Sequence, residues 1–312
     1  MREHWVSILN WALRILVGGV FIASGILKLY PIEPFELTLI DLGIFSWSYS
    51  PFISRLIISA EIFLGILIVG NINYNSFALK AAILLLIIFS VFIVYLVLVG
   101  GSEADCGCMG GYVRLSPGES LLKNGFLLVA LIFLRDRGLK LRLSWKWMLP
   151  LLLITCAAPF ILNPVQIGSQ HHHLTNEEPY KINVSSLPQP TDSDKLVDLT
   201  SGEKILAFFL VECPHCKYAA HKLSIAHKQY DIPEVFFVFK SDKLAVEEFL
   251  KDSKSDFPYI IFKDQQIFKM TSGIFPTVLY LNDGLVYHQW TGETLSNLEM
   301  EKFSDLRGHY LR

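Results

Sequence analysis

The sequence predicts a two-part protein: a membrane α-helical bundle of about five transmembrane helices, followed by a smaller α/β domain. Three observations point there. Long apolar runs, nearly free of ionisable groups, fill the chain up to about residue 163. From Pro164 to Arg312 the usual mixture of Lys, Glu and Asp returns among aromatics. Within that second part an apolar run, 204–211, leads directly into Cys213-Pro214-His215-Cys216 and then a helical pattern, the order of a buried strand, a turn and a helix. Composition agrees, with 52% hydrophobic and 18% charged residues and a mean hydropathy of +0.42, too apolar for a water-soluble chain of this length. The net charge is −2 and no basic patch alternates with aromatics, so nucleic acid is excluded as a partner class.

The membrane elements come first. A hydrocarbon core of about 30 Å takes roughly 20 helical residues per crossing. Runs at 10–29, 52–70, 77–99, 117–134 and 147–163 supply five such segments. The last two are short, and the fourth carries Lys123 and Asn124 near one end, so tilt or shielding by neighbours is expected there. The connection from Arg135 to Arg142, with Lys146 just beyond, is the most basic segment, and cytoplasmic loops retain positive charge. Placing it inside puts the N-terminus and the 71–76 turn inside as well. It leaves 30–51, 100–116 and everything after about 163 outside, where Glu33, Glu36 and Asp41 fit. The expected location is a bacterial inner (plasma) membrane with the C-terminal domain extracytoplasmic. Arg2 and the first apolar run also fit a secretory signal. No small-residue cleavage site precedes Lys28-Leu29-Tyr30-Pro31, however, and four further runs follow, so an uncleaved span is expected.

Glu61 falls near the middle of the second run, and a carboxylate within the bilayer is costly enough to be a functional candidate. Two alternatives stand: Glu61 carries protons or pairs with Arg14, or Glu61 is protonated and bonded to a neighbouring helix while Arg14 snorkels to the interface.

The five cysteines are Cys106, Cys108, Cys156, Cys213 and Cys216. On the topology above, Cys106-Gly107-Cys108 and Cys213-Pro214-His215-Cys216 face the same oxidising compartment, which suggests electron exchange between two dithiol pairs. Cys213 would open a helix, where the dipole and free N–H groups favour a thiolate, so it is the expected attacking sulfur and Cys216 the resolving one. His215, when protonated, adds to that bias. A disulfide between cysteines one residue apart is strained and accepts electrons readily. Zinc would need four ligands, and no second pair occurs in this domain, so no metal is expected; His221, His227 and the His171–His173 run are the remaining donors. Cys156 has no sequence partner and reads as an inert buried thiol.

Between the halves, 164–194 is polar and proline-containing, a flexible linker with a reach of roughly 30 Å. Downstream, a strand near 234–239, a helix near 244–251, a strand from Thr277 turning at Asn282-Asp283-Gly284 and a helix near 295–306 complete the domain over 195–312.

Cys213-Pro214-His215-Cys216, Phe275-Pro276-Thr277 and Gly284 make residues 195–310 resemble the thioredoxin-like superfamily. The resemblance implies a cis-proline at Pro276 facing the disulfide. Two departures stand out: Glu212 occupies the place of a common tryptophan, and 204–211 lacks a carboxylate behind the disulfide. In the first half, Arg14, Gly18-Gly19, Gly25, Lys28, Glu61, Gly65 and the Asp105–Gly110 loop resemble the DoxX/MauE family of small membrane proteins. That resemblance implies either maturation of disulfide-containing clients or quinone-linked oxidation.

The expected function is a membrane-bound thiol:disulfide oxidoreductase exchanging electrons between the two cysteine pairs. Its partners would be lipid and periplasmic thiol/disulfide proteins, with no covalently bound cofactor and a quinone as an onward acceptor. The alternatives are a non-enzymatic MauE-like maturation factor and a DoxX-type oxidase subunit.

Overall fold

The computed structural model describes residues 2–100, 107, 110, 115–135, 141–166, 178–191 and 197–311. They divide into two compact units, Met1–Val165 and Gln166–Arg312. Cys106, Cys108, the His171–His173 run and residues 136–140 of the basic Arg135–Arg142 connection lie outside the described residues.

The first unit is built on α1 (Arg2–Leu29) and α3 (Ser50–Val69), which pack antiparallel. Glycines set their separation: a Cβ added at Gly18 would lie 2.7 Å from the Gly65 carbonyl oxygen, and one at Gly65 would lie 2.7 Å from that of Gly18. Small residues permit such backbone approach, which supplies the packing that lipid cannot drive hydrophobically. A short α2 (Glu33–Asp41) closes one end, burying Phe35, Leu37, Leu39 and Ile40. A π-helical turn, Tyr74–Ala78, leads into α4 (Leu79–Gly100), and α5 (Pro117–Phe133) and α6 (Trp145–Leu162) complete the bundle. Leu84, Val91, Leu98, Val129, Ile154 and Ile161 point outward, as lipid-facing side chains should.

Among the described residues four helical segments are long and apolar enough to cross a membrane: Ile8–Leu29, Ser50–Val69, Tyr74–Val99 and Trp145–Leu162. The fifth expected span, 117–134, falls short. It is the 17-residue α5, opened by a capping box between Ser116 and Glu119, and at 1.5 Å per residue it is about 25 Å long. It nonetheless lies antiparallel along α4. The Tyr74 hydroxyl donates to the Leu131 carbonyl at 2.6 Å, Asn124 Nδ2 donates to Ser90 Oγ at 3.2 Å, and Leu121 packs on Ile93 and Leu96.

The second unit is a six-stranded mixed sheet in the order β1-β6-β5-β2-β3-β4. Its strands are β1 (Tyr180–Lys181), β2 (Glu203–Phe209), β3 (Glu234–Phe239), β4 (Tyr259–Ile261), β5 (Thr277–Asn282) and β6 (Leu285–Thr291). β2 runs parallel to β3 and antiparallel to β5. Helix α7 (Pro214–Gln229) connects β2 to β3, and α8 (Lys243–Asp252) connects β3 to β4. The parallel β2-α7-β3 unit beside the antiparallel β5-β6 hairpin makes this a thioredoxin-like fold. Phe209, Phe237, Phe239 and Phe249 form one aromatic core between the sheet and α8; each buried ring contributes about 1.5–3 kcal/mol.

Two details differ from the sequence expectation. β1 lies inside the stretch read as a linker and pairs with β6 through Tyr180↔Val286 and Lys181↔Leu285. The helix expected near 295–306 is broken into α10 (Asn297–Glu301), a 3-10 turn and α11 (Leu306–Tyr310), and a further short helix, α9 (Gln266–Met270), lies between β4 and β5. Helices α10 and α11 are pinned by Glu299, whose Oε1 accepts from Trp290 Nε1 at 3.2 Å and from the Tyr310 hydroxyl.

Candidate functional site

The second unit places its cysteine turn where β2 ends. Phe208 is in register with Thr277 of the neighbouring β5, so the turn after β2 and the Phe275-Pro276 step before β5 emerge at the same end of the sheet. The Phe275–Pro276 bond is cis and Pro276 is buried, with Gly292 of the next turn held against its ring.

Cys213 is the N-cap of α7, with extended backbone and Pro214 at the first helical position, where a missing N–H costs nothing. The Cys216 N–H points at Cys213 Sγ at 3.3 Å. Cys213 is half-buried and Cys216 is 0% exposed, and both are free thiols. His215 is exposed and stands edge-on to Tyr218.

This arrangement splits the two thiols. The Cys213 thiol falls from 9.0 to about 6, chiefly because the Cys216 side chain hydrogen-bonds to it. Burial opposes the shift, while the Cys216 N–H and the charge and N–H of His215 add to it. Cys216 moves the other way, because its proton is donated to Cys213 and because it is buried. The pair therefore holds one accessible thiolate and one retained proton at neutral pH. Alkylation of Cys213 in the reduced protein is expected to follow that assignment. Its rate should halve near pH 6 as the thiolate is protonated, where an unperturbed thiol would lose half its rate near about pH 8.5. A rate profile measured by mass spectrometry with a midpoint above pH 8 would contradict it.

In the first unit the structure separates two residues the sequence had allowed to pair. Glu61 is ion-paired with Lys28, whose Nζ lies 2.6 and 2.8 Å from its two carboxylate oxygens. Ser24 Oγ donates to Glu61 at 3.1 Å and accepts from Lys28 at 2.8 Å. Arg14 is elsewhere: its Nη2 donates to the Leu134 carbonyl at 3.0 Å and its guanidinium stacks 4.3 Å over the Tyr74 ring. It is also 1% exposed, so it does not snorkel. Helical phase decides this. On antiparallel α1 and α3 the Gly18–Gly65 contact fixes the register and brings Ser24 nearly level with Glu61; Lys28, one turn beyond Ser24 on the same face, reaches back past it to Glu61, while Arg14 lies on the other side of the crossing.

Arg55 is a functional-looking residue that sequence reasoning passed over, and Lys28 was read only as part of the DoxX/MauE resemblance, not as the partner of Glu61. Lys28 sits at a span end, where lysines usually reach for water. Arg55 Nη1 meets Glu36 Oε1 at 2.6 Å, and its Nε donates to the Asn163 carbonyl at 2.8 Å. Glu36, expected as an exposed loop charge, is therefore buried on α2.

These contacts also gather three segments at one end of the first unit. Asn163 Nδ2 donates to the Leu29 carbonyl at 2.9 Å. A Cβ at Gly107 would meet Thr38 Oγ1 at 3.5 Å and the Phe35 Cα at 3.6 Å, and the Gly110 backbone touches the Leu27–Lys28 peptide. The end of α6, the α1–α2 corner and the glycines that flank Cys108 in sequence thus share one end, and the Asn73–Leu141 contact marks the other. Cys156 lies on α6 as a free, partly buried thiol.

Residues 6–135 match the family described as methylamine utilisation protein MauE. The first unit carries a MauE-family membrane domain. That MauE-family domain spans α1 to α5 and leaves α6 outside the match. Over nearly the whole chain, protein TlpB of Flavobacterium psychrophilum is 28% identical, covering 94% of each protein. Among solved structures, StoA from Bacillus subtilis is 20% identical, with 38% of this chain and 95% of that chain covered at a TM-score of 0.33. A secreted Mycobacterium tuberculosis disulfide oxidoreductase homologous to DsbE is 18% identical, with 34% and 82% covered at a TM-score of 0.30.

Proposed function

We propose that the protein is a membrane-bound thiol:disulfide oxidoreductase in which Cys213 and Cys216 exchange electrons with the Cys106–Cys108 pair. The observation that carries the reading is the split dithiol: an accessible, hydrogen-bond-stabilised Cys213 sulfur beside a buried, protonated Cys216. That is the arrangement thiol–disulfide exchange requires. Cys213 thiolate attacks one sulfur of the Cys106–Cys108 disulfide, and the other sulfur leaves as a thiolate and takes a proton. Cys216 then loses its proton, attacks Cys213 and releases the second membrane thiol, so two electrons and two protons pass between the pairs. The shared end of Gly107, Gly110 and Asn163 supports a single compartment for both pairs, since α6 ends at Asn163 beside the elements that these two glycines touch. On this reading that end is extracytoplasmic, the N-terminus is cytoplasmic, and a lipid-soluble acceptor such as a quinone takes the electrons onward. Periplasmic thiol proteins are the clients.

Cys216→Ser tests the relay. With no resolving thiol, a mixed disulfide between Cys213 and Cys106 or Cys108 should accumulate. After proteolytic cleavage between the two units, the halves would remain joined on a non-reducing gel and part on reduction. Complete separation of the halves without reductant, with Cys213 still a free thiol, would end the proposal.

The MauE match favours a second reading, in which the bundle serves as a maturation factor for a disulfide-containing client and the second unit only holds that client. Replacing both Cys213 and Cys216 by alanine separates the two readings. A holding factor keeps client maturation, whereas an oxidoreductase loses it.

A further inference from the structure

Towards the Asn73–Leu141 end of the first unit, α3, α4 and α6 leave an open cavity of about 300 Å³ between them. Small residues make the space: Ala60 on α3 and Ala81 on α4 stand where larger side chains would close it. Phe63 and Met148 form a buried floor, whereas Leu84 on α4 and Leu149 on α6 are exposed rims, so the cavity is a groove that opens towards lipid. Every side chain lining it is apolar or aromatic, which suits a hydrocarbon occupant. From Trp145 to Leu152, and from Phe77 to Ile88, the groove follows about 10–16 Å of helix. That is the depth of one leaflet in a hydrocarbon core of about 30 Å. Trp145 and Trp147 stand exposed in the first turn of α6, as aromatic side chains do at the membrane–water interface.

The mouth of the groove is polar and cationic. A second cavity, of about 430 Å³, is lined by Asn71, Asn73, Asn75, Ser76 and Arg142 among others. The two cavities adjoin, because Asn73 Nδ2 lies 2.7 Å from Sδ of Met148 on the groove floor while it donates to the Leu143 carbonyl at 2.8 Å. Lys80, Arg142 and Lys146 are exposed on the same two stretches of chain, and neither 71–80 nor 141–153 contains an Asp or Glu. An apolar slot one leaflet deep, below a mouth rich in cations and amide groups, matches an amphiphile with a negative head.

We propose that this groove binds one anionic phospholipid, with an acyl chain lying between α4 and α6 and its phosphate at Arg142. On the orientation proposed above, the lipid comes from the cytoplasmic leaflet. Its role is mechanical. α6 lies outside the MauE match and leads to the second unit, and the acyl chain fills the space that Ala60 and Ala81 leave beside it. The site uses neither cysteine pair, so it stands apart from the redox reading.

The test is native mass spectrometry of the full chain, released from micelles holding equal amounts of phosphatidylglycerol and phosphatidylcholine with identical acyl chains. Wild type should retain one phosphatidylglycerol, preferred by at least about tenfold, as a few basic side chains beside an anionic headgroup allow. Lys80→Gln with Arg142→Gln and Lys146→Gln should bring that preference close to one. Ala81→Phe keeps every charge and fills the groove, and it should lower occupancy at least about tenfold. The three glutamine changes fall on exposed side chains, so that variant reports even where Ala81→Phe unfolds. Equal retention of the two lipids by wild type would overturn the proposal. Wild-type occupancy in folded Ala81→Phe would also overturn it, because the lipid would then be held by diffuse charge outside the groove. Displacement of phosphatidylglycerol by an equimolar prenylated quinone would assign the groove to a neutral occupant instead.

Discussion

Replacing Cys213 by serine is expected to abolish disulfide exchange by the second unit, lowering its rate by roughly a thousandfold or more, as loss of a nucleophile does. Cys216 cannot substitute for it. Cys216 is 0% exposed, and its proton is held both by burial and by the bond to Cys213. Without Cys213 that bond disappears, yet the sulfur remains beneath the first turn of α7, out of reach of a partner disulfide. The reciprocal change, Cys216→Ser, leaves the first attack intact and stops only the release. Stopped-flow reduction of a small aromatic disulfide by each purified variant distinguishes the two. Cys213→Ser should show no burst, and Cys216→Ser should show one stoichiometric burst with no turnover. A fast burst from Cys213→Ser would mean that the roles are reversed.

Gly65→Leu is expected to destroy the packing of the first unit, at a cost of about 3 kcal/mol or more, the upper end for overfilled cores. The Gly65 Cβ would sit 2.6 Å from Ile22 Cγ1 and 2.7 Å from the Gly18 carbonyl oxygen, and the latter is backbone that cannot rotate away. The helices would have to part, and with them Lys28 and Glu61, leaving two charges in an apolar interior without a partner. Gly18→Leu should behave alike, because the contact is reciprocal. Gly19→Leu is the control, since a Cβ there meets nothing within 4 Å. Thermal unfolding in detergent should show an early transition for the first two and a near wild-type transition for the third. Equal melting of all three would show that the α1–α3 crossing is not held by these glycines.

Much of the architecture was legible in the sequence because it depends on one-dimensional quantities. The apolar length of 10–29, 52–70, 77–99 and 147–163 is a property of composition along the chain, and those four runs are the helices long enough to span. The strand at 234–239 and the helix following Cys213 appear where periodicity and capping put them. The split of the two thiols follows from local geometry as well, since the N-cap residue and the residue three positions on adjoin in any helix, so Cys216 can bond Cys213 through its thiol and, more weakly, its N–H.

What the tertiary structure alone decided is which buried groups meet. Arg14 and Lys28 are both cations on the same apolar helix, and nothing along the chain says which of them reaches Glu61. The answer depends on the rotation and offset of α1 against α3, set by a glycine-to-glycine contact between residues 47 positions apart. Glu36 looked like a loop charge because its partner, Arg55, lies on another helix. The two-residue β1 was hidden in a polar stretch because so short a strand has no periodicity of its own and exists only through β6. Spacing along a chain records what a segment can become, whereas ion pairing and edge pairing are set by the phase between segments, which forms only on packing.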